Sequence, residues 1–212
     1  MMLIGLIWAA LAPLILVALI VGVARLLRDA SVRRPWVVAT AVVLAPVLGL
    51  WLHDRAEFAR VCDGEGKPVV FRRDTANGVF LNSGTSNSFG MRYLQEEGFS
   101  WMEAPSIYTK GSWVRYARDS TGKISSTEIT SLTARFEVRE DFSQPYAHTG
   151  LSQTRVIDRQ SGQVLAKGGS ANFDGGSAKW VLGAWGTLSC PSAMRSSDDF
   201  SGWYHLAKRT LR

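Results

Sequence analysis

Few residues in this 212-residue chain have the types and spacing that chemistry requires. Gly84-Thr85-Ser86-Asn87-Ser88 approaches the Gly-x-Ser-x-Gly turn that exposes a nucleophilic serine, but a serine replaces the closing glycine. Nothing before it reads as the buried parallel strand that such a turn needs. The bases available to it would be His148 and His205. Glu96-Glu97 and Asp198-Asp199 are adjacent acids. Neighbours along a helix or strand point apart, so each reads as a solvated residue or a cap and not as a general acid–base pair. His53, His148 and His205 show no metal-ligand spacing. GGSANFDGG, residues 168–176, lacks the lysine and the following helix of a phosphate loop. These patterns assign no catalytic residue, no metal ligand and no cofactor.

Two further sets of side chains bear on binding. Tryptophans 101, 113, 180, 185 and 203 lie in the polar part of the chain. Trp101 and Trp113 read as core of a small sheet. Trp180 and Trp185, in a glycine-rich setting, read equally well as core or as a platform for a sugar ring or a protein partner. Arg115, Arg135, Arg139 and Arg155 fall in strand-like segments where they would line one sheet face and meet an anionic partner. Glu128, Glu137 and Glu140 lie in the same segments, so a solvated, internally paired face is the stronger expectation.

The elements that position these residues begin with the membrane. Residues 2–24 and 36–52 carry no charge and are mostly aliphatic. Each is long enough to be read as a spanning helix, the second only just, at about 25 Å for a rise of 1.5 Å per residue. Pro13 and Pro46 are tolerable in a bilayer, where neighbouring helices re-satisfy freed carbonyls. The first run has no basic residue before it and no small-residue cleavage site after it, unlike a signal peptide. The second, if Arg33 and Arg34 are taken as a basic start, also lacks a convincing cleavage pattern. Between the runs, the loop 25–35 holds Arg25, Arg28, Arg33 and Arg34 against Asp29 alone. Excess Lys and Arg in short loops marks the cytoplasmic side. The expectation is therefore a bacterial inner-membrane protein with two transmembrane helices, both termini in the periplasm, and an extracytoplasmic domain over 53–212.

The cysteines fit that compartment. Cys62 and Cys190 are the two in the chain, one near each end of the domain, and an oxidising compartment favours a disulfide between them. The domain's charges nearly balance once the arginine loop is set aside, which leaves no electrostatic footprint for nucleic acid.

Within the domain, residues 132–140 (LTARFEVRE) alternate, with Ala134, Phe136 and Val138 on one face and Arg135, Glu137 and Arg139 on the other. That period of two predicts a half-buried strand. Residues 111–119 and 123–130 form one predicted hairpin, and 153–168 another, turning at Arg159 to Gly162. PVVFRR (68–73) and FSWMEA (99–104) are further strands. A short helix between them would be capped by Ser88 and ended by Gly98, and a C-terminal helix would be capped by Asp198 or Asp199. Residues 172–194 read as a loop or irregular strand. The predicted fold is α+β, a mainly antiparallel sheet of about five to seven strands with one or two short helices.

The function this organisation suggests is a membrane-anchored binding or interaction module, an accessory subunit of an envelope assembly of secretion, pilus or transport type. Its partners would be the lipid bilayer and membrane or envelope proteins. An immunity or exclusion protein that neutralises an incoming effector is the nearest rival. An envelope enzyme acting on glycan or lipid is the rival from another class.

Overall fold

The computed structural model describes residues 2–182, 186–190 and 205–212. The expected caps Asp198 and Asp199, as well as Trp185 and Trp203, lie outside the described residues. The chain divides into two compact units: residues 1–60, 144–150 and 172–189 form one, and residues 61–143, 151–171 and 190–212 form the other.

The first unit is dominated by two helices, α1 (Met2–Asp29) and α2 (Pro35–Asp63). The chain leaves α1 through Ser31 in the left-handed region (φ 59°), and Arg34 (φ 64°) precedes Pro35, whose missing amide suits a first helical turn. Among the described residues, α2 is the one helix long and apolar enough to cross a membrane. Val37, Val42, Leu48 and Leu50 stand exposed along it, each by more than half. Two spanning helices were expected, and this is one such candidate. α2 also continues past Leu52 to Asp63, so the polar residues from His53 onward extend the same helix. The first unit holds in addition the 3-10 turn Gly176–Ala178 and a short helix, α4 (Lys179–Leu182), which packs against α1.

The strands form a nine-stranded mixed sheet. In chain order they are β1 (Val69–Val70), β2 (Gly78–Leu81), β3 (Trp101–Pro105), β4 (Trp113–Arg118), β5 (Ile124–Ile129), β6 (Phe136–Tyr146), β7 (Thr149–Asp158), β8 (Val164–Phe173) and β9 (Leu188–Cys190). The spatial order is β1-β8-β7-β6-β2-β3-β4-β5, with β9 beside β8. The sheet exceeds the expected size because β2 and β9 are short and carry no alternation. Antiparallel pairing holds for β1 with β8, β3 with β4 and β4 with β5. β2, however, pairs parallel with both β3 and β6. The connection from β2 to β3 runs through the helix α3 (Ser83–Gln95), as a parallel pair requires. β2 is buried at Gly78, Val79 and Leu81, so a buried parallel strand does precede Ser86, contrary to expectation.

Ser88 does not cap α3. The cap is Asn82, whose Oδ1 accepts from the Thr85 amide (3.0 Å) and from Thr85 Oγ1 (2.6 Å), while its Nδ2 donates to the Glu140 carbonyl (3.2 Å). One asparagine thus starts the helix and fixes it to β6. Past the helix end, Gly98 takes φ 77° as expected of a terminating glycine. At Gly78 a Cβ would collide with the Trp101 indole, which lies across the neighbouring strand.

The core of the second unit gathers Val79, Leu81, Leu94, Phe99, Met102 and Phe136 with Leu206 and Leu211 of the C-terminal helix α5 (Leu206–Leu211). Ala134, Phe136 and Val138 are all buried. β6 begins later than the predicted strand because the Thr133 and Ala134 amides leave the ladder and donate to the Glu103 carboxylate (2.9 Å each to Oε2). Both predicted hairpins are present. Asp119 Oδ1 accepts from the Thr121 and Lys123 amides (2.9 Å each) at the β4–β5 turn, and Gly162 (φ 72°) closes the β7–β8 turn.

Cys62, in the last turn of α2, is joined to Cys190 on β9, with their Cα atoms 5.9 Å apart. The bridge spans a sequence separation of 128 residues, and long closed loops are the ones whose unfolded state a cross-link restricts most. Replacing both cysteines by serine is expected to lower stability by about 2–4 kcal/mol in denaturant titrations of the detergent-solubilised protein.

Candidate binding surface

The four sheet arginines are each engaged by side chains of their own unit. Arg115 Nη2 meets Glu103 Oε1 at 2.6 Å, bonds Thr133 Oγ1, and lies over the Trp101 ring at 4.7 Å. Arg135 bridges Asp158 (2.7 Å) and Asp74 (3.3 Å) and covers the Phe136 ring. Arg139 pairs with Glu137 at 2.8 Å, and Arg155 bonds Gln153 at 2.7 Å with Asp141 at 3.9 Å. The hydrogen bond from Arg135 holds the Asp158 carboxyl at about 2. These guanidiniums neutralise acids and cover aromatic rings, a use that competes with an external anion.

Two carboxylates that are fully buried escaped sequence reasoning. Glu103 is fully buried on β3. Burial works to raise its carboxyl, but hydrogen bonds from Arg115, Ala134 and Thr133 outweigh that and hold it below the usual range. Glu97, expected to be solvated or a cap, is also fully buried. It receives Arg92 Nη2 at 3.0 Å and the Lys208 amide at 3.1 Å, so it caps α5, and His205 Nδ1 lies 3.8 Å away. Glu96 beside it is exposed, as neighbours along a chain diverge.

Burial dominates at Glu97 and pushes its carboxyl from 4.5 to about 7, against the pull of Arg92 and the Lys208 amide. Between those pH values the folded protein keeps a proton that the unfolded chain has released. Stability contributed by this group is therefore full below about 4.5 and is lost as pH rises towards about 7. The loss amounts to up to about 3 kcal/mol. His205, held low by burial and by the Arg92 and Lys208 charges, acts with the opposite slope below its ordinary value of 6.5. The difference between wild type and Glu97→Gln isolates the carboxyl: denaturant midpoints across this range are expected to fall with pH more steeply in the wild type.

In the first unit, side chains distant in sequence meet where α2 leaves its apolar stretch. Asp54 is buried, and its Oδ2 accepts from the Ser177 amide at 2.7 Å. Ser177 Oγ lies 3.4 Å from His148 Nε2, and His148 Nδ1 lies 3.1 Å from Asp174 Oδ1. Burial works to raise the Asp174 carboxyl, but Lys179 Nζ (2.9 Å) and the Gly176 amide (3.0 Å) hold it below the usual range. A serine, a histidine and an aspartate in this order of contact have the connectivity of an acyl-transfer triad. Ser86, the residue whose sequence setting suggested a nucleophile, sits instead within the first turns of α3. His53, Asp54 and Glu57 also bring three donor atoms within 4.8 Å of one another, although Asp54 is engaged by Ser177.

Exposed apolar side chains outside the long helices include Phe71 and Phe142, and an adjacent pair at one hairpin. Ile107 is 71% and Tyr108 89% exposed between β3 and β4. Beside the same strand end, Trp113, Glu128 and Ile129 line a shallow depression of about 320 Å³. β5, at the end of the sheet, has Ser125 through Glu128 exposed. Ser106 Oγ accepts from the Tyr108 (3.2 Å) and Thr109 (3.1 Å) amides, so the tip has a defined turn. Trp180, in α4, is half exposed, while Arg25, Arg28, Arg33 and Arg34 are exposed around the turn between α1 and α2. Comparison with protein-family models, with curated proteins and with solved structures finds no match to this chain.

Proposed function

We propose that the protein is a membrane-anchored extracytoplasmic binding module, an accessory subunit of a bacterial envelope assembly of secretion, pilus or transport type. The observation that carries this reading is the exposed tip of Ile107 and Tyr108 beside Trp113 and the terminal strand β5. A sheet edge offers unpaired backbone groups to an extended segment of a partner protein, and neighbouring apolar pockets give such an addition its specificity. α1 and α2 form the anchor as a helical hairpin. Ala24 and Ala39, one on each helix, are buried, as small residues are where helices approach closely.

The anchor is tested by topology. A cysteine at Ala30 resists a membrane-impermeant thiol reagent in intact cells, and alkaline phosphatase fused after Arg212 is active. The opposite pair of results inverts the arrangement. The binding surface is tested by purification in detergent. The wild type travels with a large envelope complex, and Ile107→Asp with Tyr108→Ala releases it without lowering the melting temperature. Tight one-to-one capture of a toxin would instead identify an immunity protein.

A second reading, an envelope hydrolase acting on an ester, is favoured by the Ser177–His148–Asp174 contacts. It ranks second because the Asp54 carboxylate accepts the Ser177 amide. That engages a donor which an oxyanion would need, and it sets a negative charge beside the nucleophile. Labelling by a fluorophosphonate that is lost in Ser177→Ala would promote this reading.

A further inference from the structure

We infer that the segment Gly176–Leu182 is a membrane foot, which seats Lys179 and Trp180 in the headgroup layer of the bilayer that α2 enters. The inference rests on the membrane-anchored reading and adds to it a second, non-spanning contact with lipid.

Depth along α2 argues for it. The apolar stretch ends at Leu52, and Asp54, two residues later, accepts the Ser177 amide at 2.7 Å. At 1.5 Å per residue, Asp54 lies about 3 Å along the axis beyond Leu52. The 3-10 turn that opens the segment is thus held at the level where α2 leaves the hydrocarbon. Phe58 and Phe173, with ring centroids 5.6 Å apart, fix the approach of the chain one turn further along α2. Gly176 (φ 69°) lets the chain pass close against Asp54, where a Cβ would meet the carboxylate at 2.6 Å. From there α4 runs alongside α1.

The side chains this places at the boundary suit it. Trp180 is half exposed, and the exposed Lys179 is already paired with Asp174 at 2.9 Å, so the indole is the main contact. On α2 itself Arg55 stacks over the Trp51 ring at 5.0 Å. Tryptophan is enriched at membrane–water interfaces, where an apolar ring with a polar edge fits the headgroup region, and long basic side chains reach from there to phosphates. An exposed indole on a four-residue helix is otherwise a cost in water. Beside a spanning helix it is shielded by the lipid.

The two native cysteines are joined, so an introduced thiol is labelled alone. Trp180→Cys and, separately, Trp36→Cys are labelled with an environment-sensitive fluorophore in the full-length protein, which is reconstituted in vesicles of phosphatidylethanolamine and phosphatidylglycerol. The probe at 180 is expected to show blue-shifted emission and loss of intensity when nitroxide lipids labelled near the headgroup are included, with less loss from nitroxides deep in the chains. The probe at 36 reports the anchor. Quenching at 36 with water-like, unquenched emission at 180 overturns the foot and leaves the anchor standing. No quenching at either position overturns the anchor and the foot together. Brominated-lipid quenching of intrinsic fluorescence, smaller in Trp180→Phe than in wild type, checks the result without a label; equal quenching in the two proteins counts against the foot.

Discussion

Glu103→Ala is expected to destabilise the protein by about 3–5 kcal/mol, the range for removing one partner of a buried ion pair. Glu103 is fully buried and is the common acceptor for Arg115, for the Thr133 hydroxyl, and for the Thr133 and Ala134 amides. Its loss strands two backbone donors at the point where the chain enters β6, and it leaves the Arg115 guanidinium over the Trp101 ring with no carboxylate. Glu103→Gln keeps the shape and one acceptor oxygen but forfeits the charge. It is expected to fall between wild type and the alanine variant in chemical denaturation. Wild-type stability in Glu103→Ala would show that these four contacts do not hold β3 to the start of β6.

Phe136→Ala is expected to cost about 3–5 kcal/mol, as large-to-small changes at buried aromatics do. Phe136 is buried in the core formed by Val79, Leu94, Met102 and Leu206. Arg135, on the other face, first reads as a position where alanine would cost little. The structure changes that expectation, because Arg135 neutralises Asp158 and Asp74 and covers the Phe136 ring. Arg135→Ala is therefore expected to lower the melting temperature measurably, though by less than Phe136→Ala. Equal shifts would contradict the assignment of the two residues to opposite faces of the chain where it enters β6.

The sequence by itself determined the parts of this protein that depend on local composition and short period. An uncharged stretch of sufficient length identifies α2 whatever surrounds it. Alternation places Ala134, Phe136 and Val138 in the core, although Glu137 between them is buried as well, and the Asp119–Gly122 and Asp158–Gly162 turns follow from side chains that bond their own backbone. The Cys62–Cys190 bridge followed from there being two cysteines and from the expectation of an oxidising compartment. Only the tertiary structure decided what depends on partners far apart in the chain. β2 is four residues long with no alternation, and its parallel pairing arises from burial between β3 and β6. Glu97 and Glu103 look like ordinary surface acids until Arg92, Arg115 and stranded amides converge on them. Ser177, His148, Asp174 and Asp54 meet although up to 123 residues separate them, and no local pattern encodes that meeting. Period and composition act over one turn or one strand, whereas charge compensation and strand order are settled only when the chain has closed on itself.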